Sequence, residues 1–180
     1  MSALIDPKGR PIDYLRISVT DRCNERCLYC LPENYSSWLP RADVLSDAEL
    51  LAVARAAVTL GFRKFRVTGG EPLVRPGVVD FIGNLIATPG VESVQLTTNG
   101  TRLPALAQSL FDAGLRRVNV SLDALDPQLY RAITGGDLAP VLAGIKLLKQ
   151  IGFPSVKLNT VLMRHKNENE ILPLLNFAAE

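Results

Sequence analysis

Short segments rich in Val, Ile, Leu and Phe alternate with amphipathic segments along the whole chain of 180 residues. Their length and composition are typical of β-strands. The predicted strands span residues 14–20, 62–68, 93–98, 117–123 and 156–162. Strands separated by helices form a parallel sheet with right-handed crossover connections. The sequence therefore predicts an α/β fold.

The segments between the strands carry residues that begin and end helices. The start signals are Ser46 with Glu49, Pro76, Leu103, Asp126 with Pro127, Leu138, and Asn167 with Glu170. The stop signals are Gly61, Gly114 and Gly152. Two of the start signals, at Ser46 and Asn167, have the spacing of a capping box.

Polar and apolar residues alternate along every predicted strand. The polar positions are Arg16, Ser18, Thr20, Lys64, Arg66, Thr68, Gln95, Thr97, Asn119, Ser121, Asp123, Lys157 and Asn159. A parallel strand covered by helices on both faces would be apolar throughout, which argues against a doubly wound sheet. A dry interior would cost about 1–3 kcal/mol for each unpaired polar group. We therefore predict a partial (β/α) barrel of five to six parallel strands with a polar lumen that holds water and a ligand.

Three of the polar positions in the predicted lumen are cations. Arg16, Arg66 and Lys157 lie on the polar faces of three different strands. Guanidinium groups bind phosphates and carboxylates through paired hydrogen bonds. The predicted ligand is therefore an anion.

All cysteines of the chain lie in one short segment after the first strand, at Cys23, Cys27 and Cys30. Three thiolates leave a metal centre one ligand short. A disulfide is disfavoured because Asp6-Pro7-Lys8 interrupts any apolar leader, which predicts a reducing, cytoplasmic location. Structural zinc would need a fourth ligand, and the one histidine, His165, is predicted to lie in a distant solvated loop. A non-enzymatic three-cysteine metal-binding module stays open.

Further motifs follow the second, third and fourth strands. They are Gly69-Gly70-Glu71-Pro72, Thr97-Thr98-Asn99-Gly100 and Ser121-Leu122-Asp123. The active site of a β/α barrel collects at the carboxyl ends of its strands. We predict that the paired glycines let backbone approach a ligand closely and that Glu71 accepts hydrogen bonds from an ammonium group.

The spacing of the three cysteines, with Tyr29 before the last of them, resembles the signature of the radical S-adenosylmethionine (SAM) enzymes. Residues 69–72 resemble the methionine-binding motif of that superfamily. The runs at 15–24, 66–75, 97–100, 119–123 and 157–159 are similar to the molybdenum cofactor biosynthesis protein A family, whose members are GTP 3′,8-cyclases. A radical SAM enzyme with another substrate is the alternative.

The resemblance implies a radical SAM type of partial barrel and a set of site residues. Cys23, Cys27 and Cys30 would hold a [4Fe-4S] cluster, whose open iron binds SAM. SAM would contact Tyr29, Gly70, Glu71, Asn99 and Ser121, and GTP would contact Arg16, Arg66, Thr97 and Lys157. The reaction would be a lyase reaction that makes (8S)-3′,8-cyclo-7,8-dihydroguanosine 5′-triphosphate from GTP.

The resemblance also implies what surrounds this domain. Residues 1–180 are predicted to be a radical SAM core that stops before the barrel's end and before a carboxyl-terminal region with a second [4Fe-4S] cluster. The implied partners are a flavodoxin- or ferredoxin-like electron donor, the next enzyme of molybdopterin synthesis and a second copy in a homodimer. A net charge of +2 and the lack of a long apolar run predict neither nucleic acid nor membrane as a partner.

Overall fold

A computed structural model describes residues 4–32 and 34–179. Its strands are β1 (Tyr14–Ser18), β2 (Lys64–Thr68), β3 (Ser93–Thr98), β4 (Arg117–Ser121) and β5 (Ser155–Asn159). Its α-helices are α1 (Asp47–Thr59), α2 (Val78–Ile86), α3 (Leu103–Asp112), α4 (Pro127–Thr134), α5 (Leu138–Ile151) and α6 (Ile171–Ala179). None of the helices in these residues is long and apolar enough to cross a bilayer.

The strands form one parallel sheet in the order β1-β2-β3-β4-β5. The strand order of a doubly wound sheet reverses, whereas here each strand pairs with its neighbour in sequence. Right-handed crossovers that all advance in one direction place every connecting helix on the same side of the sheet. The predicted partial barrel with five parallel strands is confirmed.

The two faces of the sheet differ as the alternation predicts. The buried face carries Ile17, Phe65, Val67, Val94, Leu96, Val118 and Val120, which belong to the hydrophobic core. On the other face, Arg16, Ser18, Lys157 and Asn159 are exposed at the outer strands. The polar face is thus exposed at its two outer strands and half-buried between them, at Arg66, Gln95, Thr97 and Asn119.

Several predicted helix ends are present. The Ser46 hydroxyl accepts a bond of 3.3 Å from the Glu49 amide, and the Glu49 carboxylate accepts one of 2.8 Å from the Ser46 amide, so the capping box has formed. Gly152 follows α5 with a φ of 91°, which favours glycine. Helix α2 begins two residues later than Pro76 predicts, after Gly77 with a φ of 76°.

The second predicted capping box, at Asn167 and Glu170, is wrong. Asn167 is buried, and its side-chain amide donates to the carbonyl oxygens of Asp123 and Val161, both at 2.9 Å. The Glu170 carboxylate accepts from the amide of Leu125. Both side chains therefore bond other segments instead of capping the helix. Their hydrogen bonds hold the segment before α6 against the loop after β4.

Candidate active site

The cysteine segment, residues 20–31, carries the three cysteines. It follows β1 at the end of the sheet where the carboxyl ends of the strands lie. All three thiols are free; Cys23 and Cys27 are half-buried and Cys30 is exposed. Within residues 4–32 and 34–179, no group of three or more His, Cys, Asp or Glu side chains is arranged to ligate a single metal ion. Thiolates that bind separate irons of a cluster need not converge on one ion. Three thiols on one segment are the kind of donor set that iron-sulfur clusters take.

The surroundings of the thiols disfavour the thiolate form. Burial raises the pKa of the Cys27 thiol to about 12, and the nearby Glu25 carboxylate acts in the same direction. Burial likewise raises the pKa of Cys23. Iron binding must displace these protons, since the thiolate is the metal ligand.

The Gly69-Gly70-Glu71-Pro72 turn packs directly on the start of the cysteine segment. The Gly70 amide donates to the Thr20 carbonyl oxygen at 2.7 Å, and the Glu71 amide donates to the Arg22 carbonyl oxygen at 2.8 Å. A Cβ atom on Gly70 would lie 2.4 Å from the Arg22 oxygen. Glycine is therefore required at position 70 for a close approach of two protein backbones, and its approach to a ligand stays a prediction.

Glu71 is 1% exposed and its carboxylate is bonded within the protein. One oxygen accepts from the Leu73 amide at 2.9 Å and from the Thr98 hydroxyl at 2.7 Å. The other oxygen accepts from the Asn99 amide at 2.7 Å. Both oxygens of Glu71 therefore already accept hydrogen bonds from the protein, unlike the free acceptor predicted for a ligand ammonium group. These bonds fix the loop after β3 to the glycine turn.

The buried Glu71 carboxyl leads to a pH-dependent prediction. Burial raises the pKa of Glu71 above 4.5, so the folded chain keeps this proton at pH values where the unfolded chain has lost it. The protonated Glu71 carboxyl contributes its full stabilisation at pH values below its pKa in the unfolded chain. This contribution is lost as pH rises through its pKa in the folded chain. Urea unfolding should therefore show that the free energy of unfolding of the wild type, relative to Glu71→Gln, falls with rising pH.

Glu49→Gln is the matched control for this measurement. Hydrogen bonds from Ser46 lower the pKa of Glu49, so its contribution to stability is present above the unfolded pKa. The corresponding difference for Glu49→Gln should rise with pH. A Glu71 difference that stays constant or rises would contradict the prediction.

Asn99 joins the loop after β3 to the cysteine segment. Its side-chain amide donates to the Asn24 side-chain oxygen at 3.0 Å, and its own side-chain oxygen accepts from the Thr101 hydroxyl at 2.8 Å. The Asn24 amide in turn donates to the Thr101 hydroxyl at 2.9 Å. The structure thus places this predicted SAM residue directly beside the predicted cluster ligands.

Tyr29 and Ser121 both lie near the end of β4. The Tyr29 hydroxyl donates to the Asp123 carboxylate at 2.6 Å, and burial raises the pKa of Tyr29. Asp123 is 2% exposed, and its second oxygen accepts from the Val161 amide at 2.8 Å. Half-buried Ser121 lies two residues before this acid. All five predicted SAM residues thus lie at the carboxyl ends of the strands, on segments bonded to one another.

The predicted GTP residues occupy two rows on the polar face of the sheet. Arg16 pairs in register with Arg66, whose guanidinium group donates to the Gln95 side chain at 2.6 Å. Thr97 and Lys157 share the next row, on either side of Asn119. Arg16 and Arg66 are therefore neighbours, whereas Lys157 lies on the opposite edge strand.

Two buried polar atoms in these rows have no hydrogen-bond partner among the described residues. They are the Arg66 Nε and the Thr97 Oγ1. Buried polar groups are nearly always bonded, so an unpartnered donor beside other cations indicates a place for a ligand. Both atoms belong to residues that the family resemblance assigns to the substrate.

Sequence analysis missed one buried acid in this region, Glu25, and gave no role to a second, Asp123. Glu25 is 4% exposed within the cysteine segment, and Asp123 binds Tyr29. The sequence does indicate a role for Asp123, because it ends a predicted strand and the neighbouring predicted strands are followed by site motifs. The position of Glu25 is visible only in three dimensions, because its hydrogen-bond partner is Tyr130 on α4.

Comparisons with known proteins agree with this geometry. The family model of the radical SAM superfamily matches residues 17–178. The chain belongs to the radical SAM superfamily. Membership in this superfamily of enzymes implies a [4Fe-4S] cluster and SAM as cofactors.

Relatives within the superfamily can be named. The chain is 51% identical over 179 residues to the GTP 3′,8-cyclase of Pseudomonas putida (strain W619). The matched region covers 99% of this chain and 53% of the relative. The chain is also 51% identical to GTP 3′,8-cyclase 1 of Pseudomonas aeruginosa, with 99% and 54% covered. The chain thus spans about half the length of the curated relatives it matches.

A solved structure has the same fold at low sequence identity. The crystal structure of Streptococcus suis SuiB bound to S-adenosylmethionine superposes with a TM-score of 0.74 and 18% identity. It covers 92% of this chain and 37% of SuiB. This similarity shows that the chain shares its fold with part of SuiB.

Proposed function

We propose that this chain is the radical SAM core of a GTP 3′,8-cyclase, the first enzyme of molybdenum cofactor biosynthesis. The product would be (8S)-3′,8-cyclo-7,8-dihydroguanosine 5′-triphosphate. The observation that carries the proposal is 51% identity across 99% of the chain to a protein of that name. The chain spans about half the length of that relative, so we also propose, as a separate step, that this chain itself has the cyclase activity.

The cofactor residues are assigned within this proposal. Cys23, Cys27 and Cys30 would hold the cluster, and the chemistry it would supply is the reductive cleavage of SAM. Tyr29, Gly70, Asn99 and Ser121 contact SAM, supported by their position beside the cysteine segment. We assign Glu71 a positioning role, since its carboxylate bonds the Asn99 amide.

The substrate residues bind and orient GTP. Neighbouring Arg16 and Arg66 offer two guanidinium groups to the triphosphate, and Lys157 adds an ammonium group from the far side. The unpartnered Arg66 Nε and Thr97 Oγ1 are available for hydrogen bonds with the ligand. Holding the C3′ hydrogen of GTP beside SAM and C8 beside C3′ lowers the barrier through proximity.

The electron for SAM cleavage must come from outside this chain. We propose a flavodoxin- or ferredoxin-like donor in the cytoplasm, and the next enzyme of molybdopterin synthesis as the recipient of the product. The homodimer and the second [4Fe-4S] cluster remain predictions.

Thr97→Val separates stability from substrate binding. Valine removes an unpartnered buried hydroxyl, so we expect the free energy of unfolding without GTP to rise by about 1 kcal/mol. The same change should weaken GTP binding about tenfold, because a hydrogen bond to the ligand is lost. Urea unfolding and calorimetric titration measure the two effects. Lower stability, or unchanged GTP affinity, would contradict the assignment.

The proposed function is tested by anaerobic reconstitution with iron and sulfide. We expect about four irons per chain, an electron paramagnetic resonance signal that SAM perturbs, and release of 5′-deoxyadenosine that requires GTP. Release that does not depend on GTP would favour a radical SAM enzyme with another substrate. Stoichiometric zinc without a response to SAM would overturn both.

A further inference from the structure

A carboxylate of the cysteine segment is buried against helix α4. Glu25 lies between Cys23 and Cys27 and is 4% exposed. The hydroxyl of Tyr130, itself 1% exposed, donates to the Glu25 Oε1 at 2.9 Å. A buried carboxylate is costly unless it is hydrogen-bonded. This bond therefore fixes where the cysteine segment can sit on the helix.

The backbone on either side of Cys27 is bound to the same helix. The Arg26 amide donates to the Thr134 carbonyl oxygen at 2.8 Å, and the Leu28 amide donates to the Ile133 carbonyl oxygen at 2.9 Å. Carbonyl groups in the last turn of a helix have no partner within it. The carboxyl end of α4 thus supplies acceptors that hold Cys27 from both sides.

The turn after α4 is shaped to admit the Glu25 side chain. A Cβ atom at Gly136 would lie 2.3 Å from the Glu25 Oε1. The Gly136 amide donates to the Thr134 hydroxyl at 3.0 Å, and that hydroxyl donates to the Tyr130 carbonyl oxygen at 2.9 Å. The position of Gly136 is therefore tied to the helix that carries Tyr130.

We propose that Glu25 and Tyr130, with the space left by Gly136, form a clamp that positions the cysteine segment for the cluster. The role of this clamp in binding iron rests on the proposed function. Its effect on the position of the cysteine segment does not depend on that function. Glu25 and Tyr130 are positioning residues, because they act on Cys27 through the Arg26 and Leu28 amides. A ligand loop held in place before binding loses less conformational entropy when it binds.

The test begins on the iron-free chain and follows hydrogen exchange of the Arg26 and Leu28 amides. In Tyr130→Phe, both amides should exchange about tenfold faster, as expected when a hydrogen bond to a buried carboxylate is lost. Ile133→Val is the control, since it removes a buried methylene group from α4 and leaves the clamp intact. Equal exchange in Tyr130→Phe and wild type, or equal acceleration in Ile133→Val, would overturn the proposal.

Two Glu25 variants repeat the test should Tyr130→Phe fail to fold. Glu25→Gln retains an oxygen that accepts from Tyr130, so the two amides should stay protected. Glu25→Ala lacks an acceptor and should lose that protection about tenfold. Equal protection in both variants would overturn the clamp.

Reconstituted protein supplies the readout on the cluster. Loss of iron to a chelator should be about tenfold faster in Tyr130→Phe than in Ile133→Val. Equal rates would overturn the role in cluster retention. A wild type that binds no iron would overturn the proposed function instead, and the exchange of the Arg26 and Leu28 amides would still decide whether the clamp exists.

Discussion

Cys27→Ser is expected to abolish binding of the iron-sulfur cluster. A serine hydroxyl is a hard and weakly acidic ligand, whereas clusters are held by soft thiolates. Cys23 and Cys30 would remain as two ligands for a site that needs three. Reconstitution should therefore give less than about one iron per chain instead of about four. Reductive cleavage of SAM should disappear with the cluster.

The control for this substitution is Ser37→Ala, an exposed position a few residues further along. Its iron content and visible absorption should match those of the wild type. Circular dichroism of Cys27→Ser should remain that of a folded α/β protein, since the serine replaces a half-buried thiol outside the hydrophobic core. Full iron content in Cys27→Ser would remove Cys27 from the proposed ligand set.

Gly70→Ala is expected to destabilise the chain by about 3 kcal/mol. The new methyl group would lie 2.4 Å from the Arg22 carbonyl oxygen and 2.5 Å from that of Asp21. Both are backbone atoms, so relief requires the glycine turn and the cysteine segment to separate. Separation breaks the bonds from the Gly70 and Glu71 amides. The melting temperature should fall by about 10 °C, and SAM binding should be lost.

Gly83→Ala supplies the matched control for this experiment. A Cβ atom at Gly83 would meet the Ala113 Cβ at 3.6 Å, an ordinary contact, and the position is interior to α2. Alanine should stabilise this helix by about 0.5–1 kcal/mol. Thermal unfolding of both variants checks the pair. A Gly70→Ala variant as stable as Gly83→Ala would show that the two backbones separate at little cost.

Local patterns predicted the fold well because its physical causes are local. Alternation of polar and apolar residues assigned each strand residue to a face, since successive side chains point to opposite sides of a strand. The Ser46 capping box also formed as predicted, because its two residues are neighbours in sequence. The Asn167 and Glu170 pattern has the same spacing, yet both side chains bond other parts of the chain.

Site residues could be predicted as candidates, but their tasks could not. The motif predicts that Glu71 bonds a ligand, and the structure shows that its oxygens bond Leu73, Thr98 and Asn99. A Cβ atom on Gly70 would clash with the Arg22 backbone, a contact that the motif does not predict. A sequence motif marks where unusual groups lie without stating which partner each group meets.

The alternation of strands and helices, the polar sheet face and the group of three cysteines after β1 could be predicted from the sequence, because these features depend on composition and on spacing between near neighbours. The folded chain alone shows that Glu25 bonds Tyr130, that Tyr29 bonds Asp123, and that Arg16 lies beside Arg66. Such pairs join residues far apart in sequence, and folding alone brings them within hydrogen-bond distance or into register.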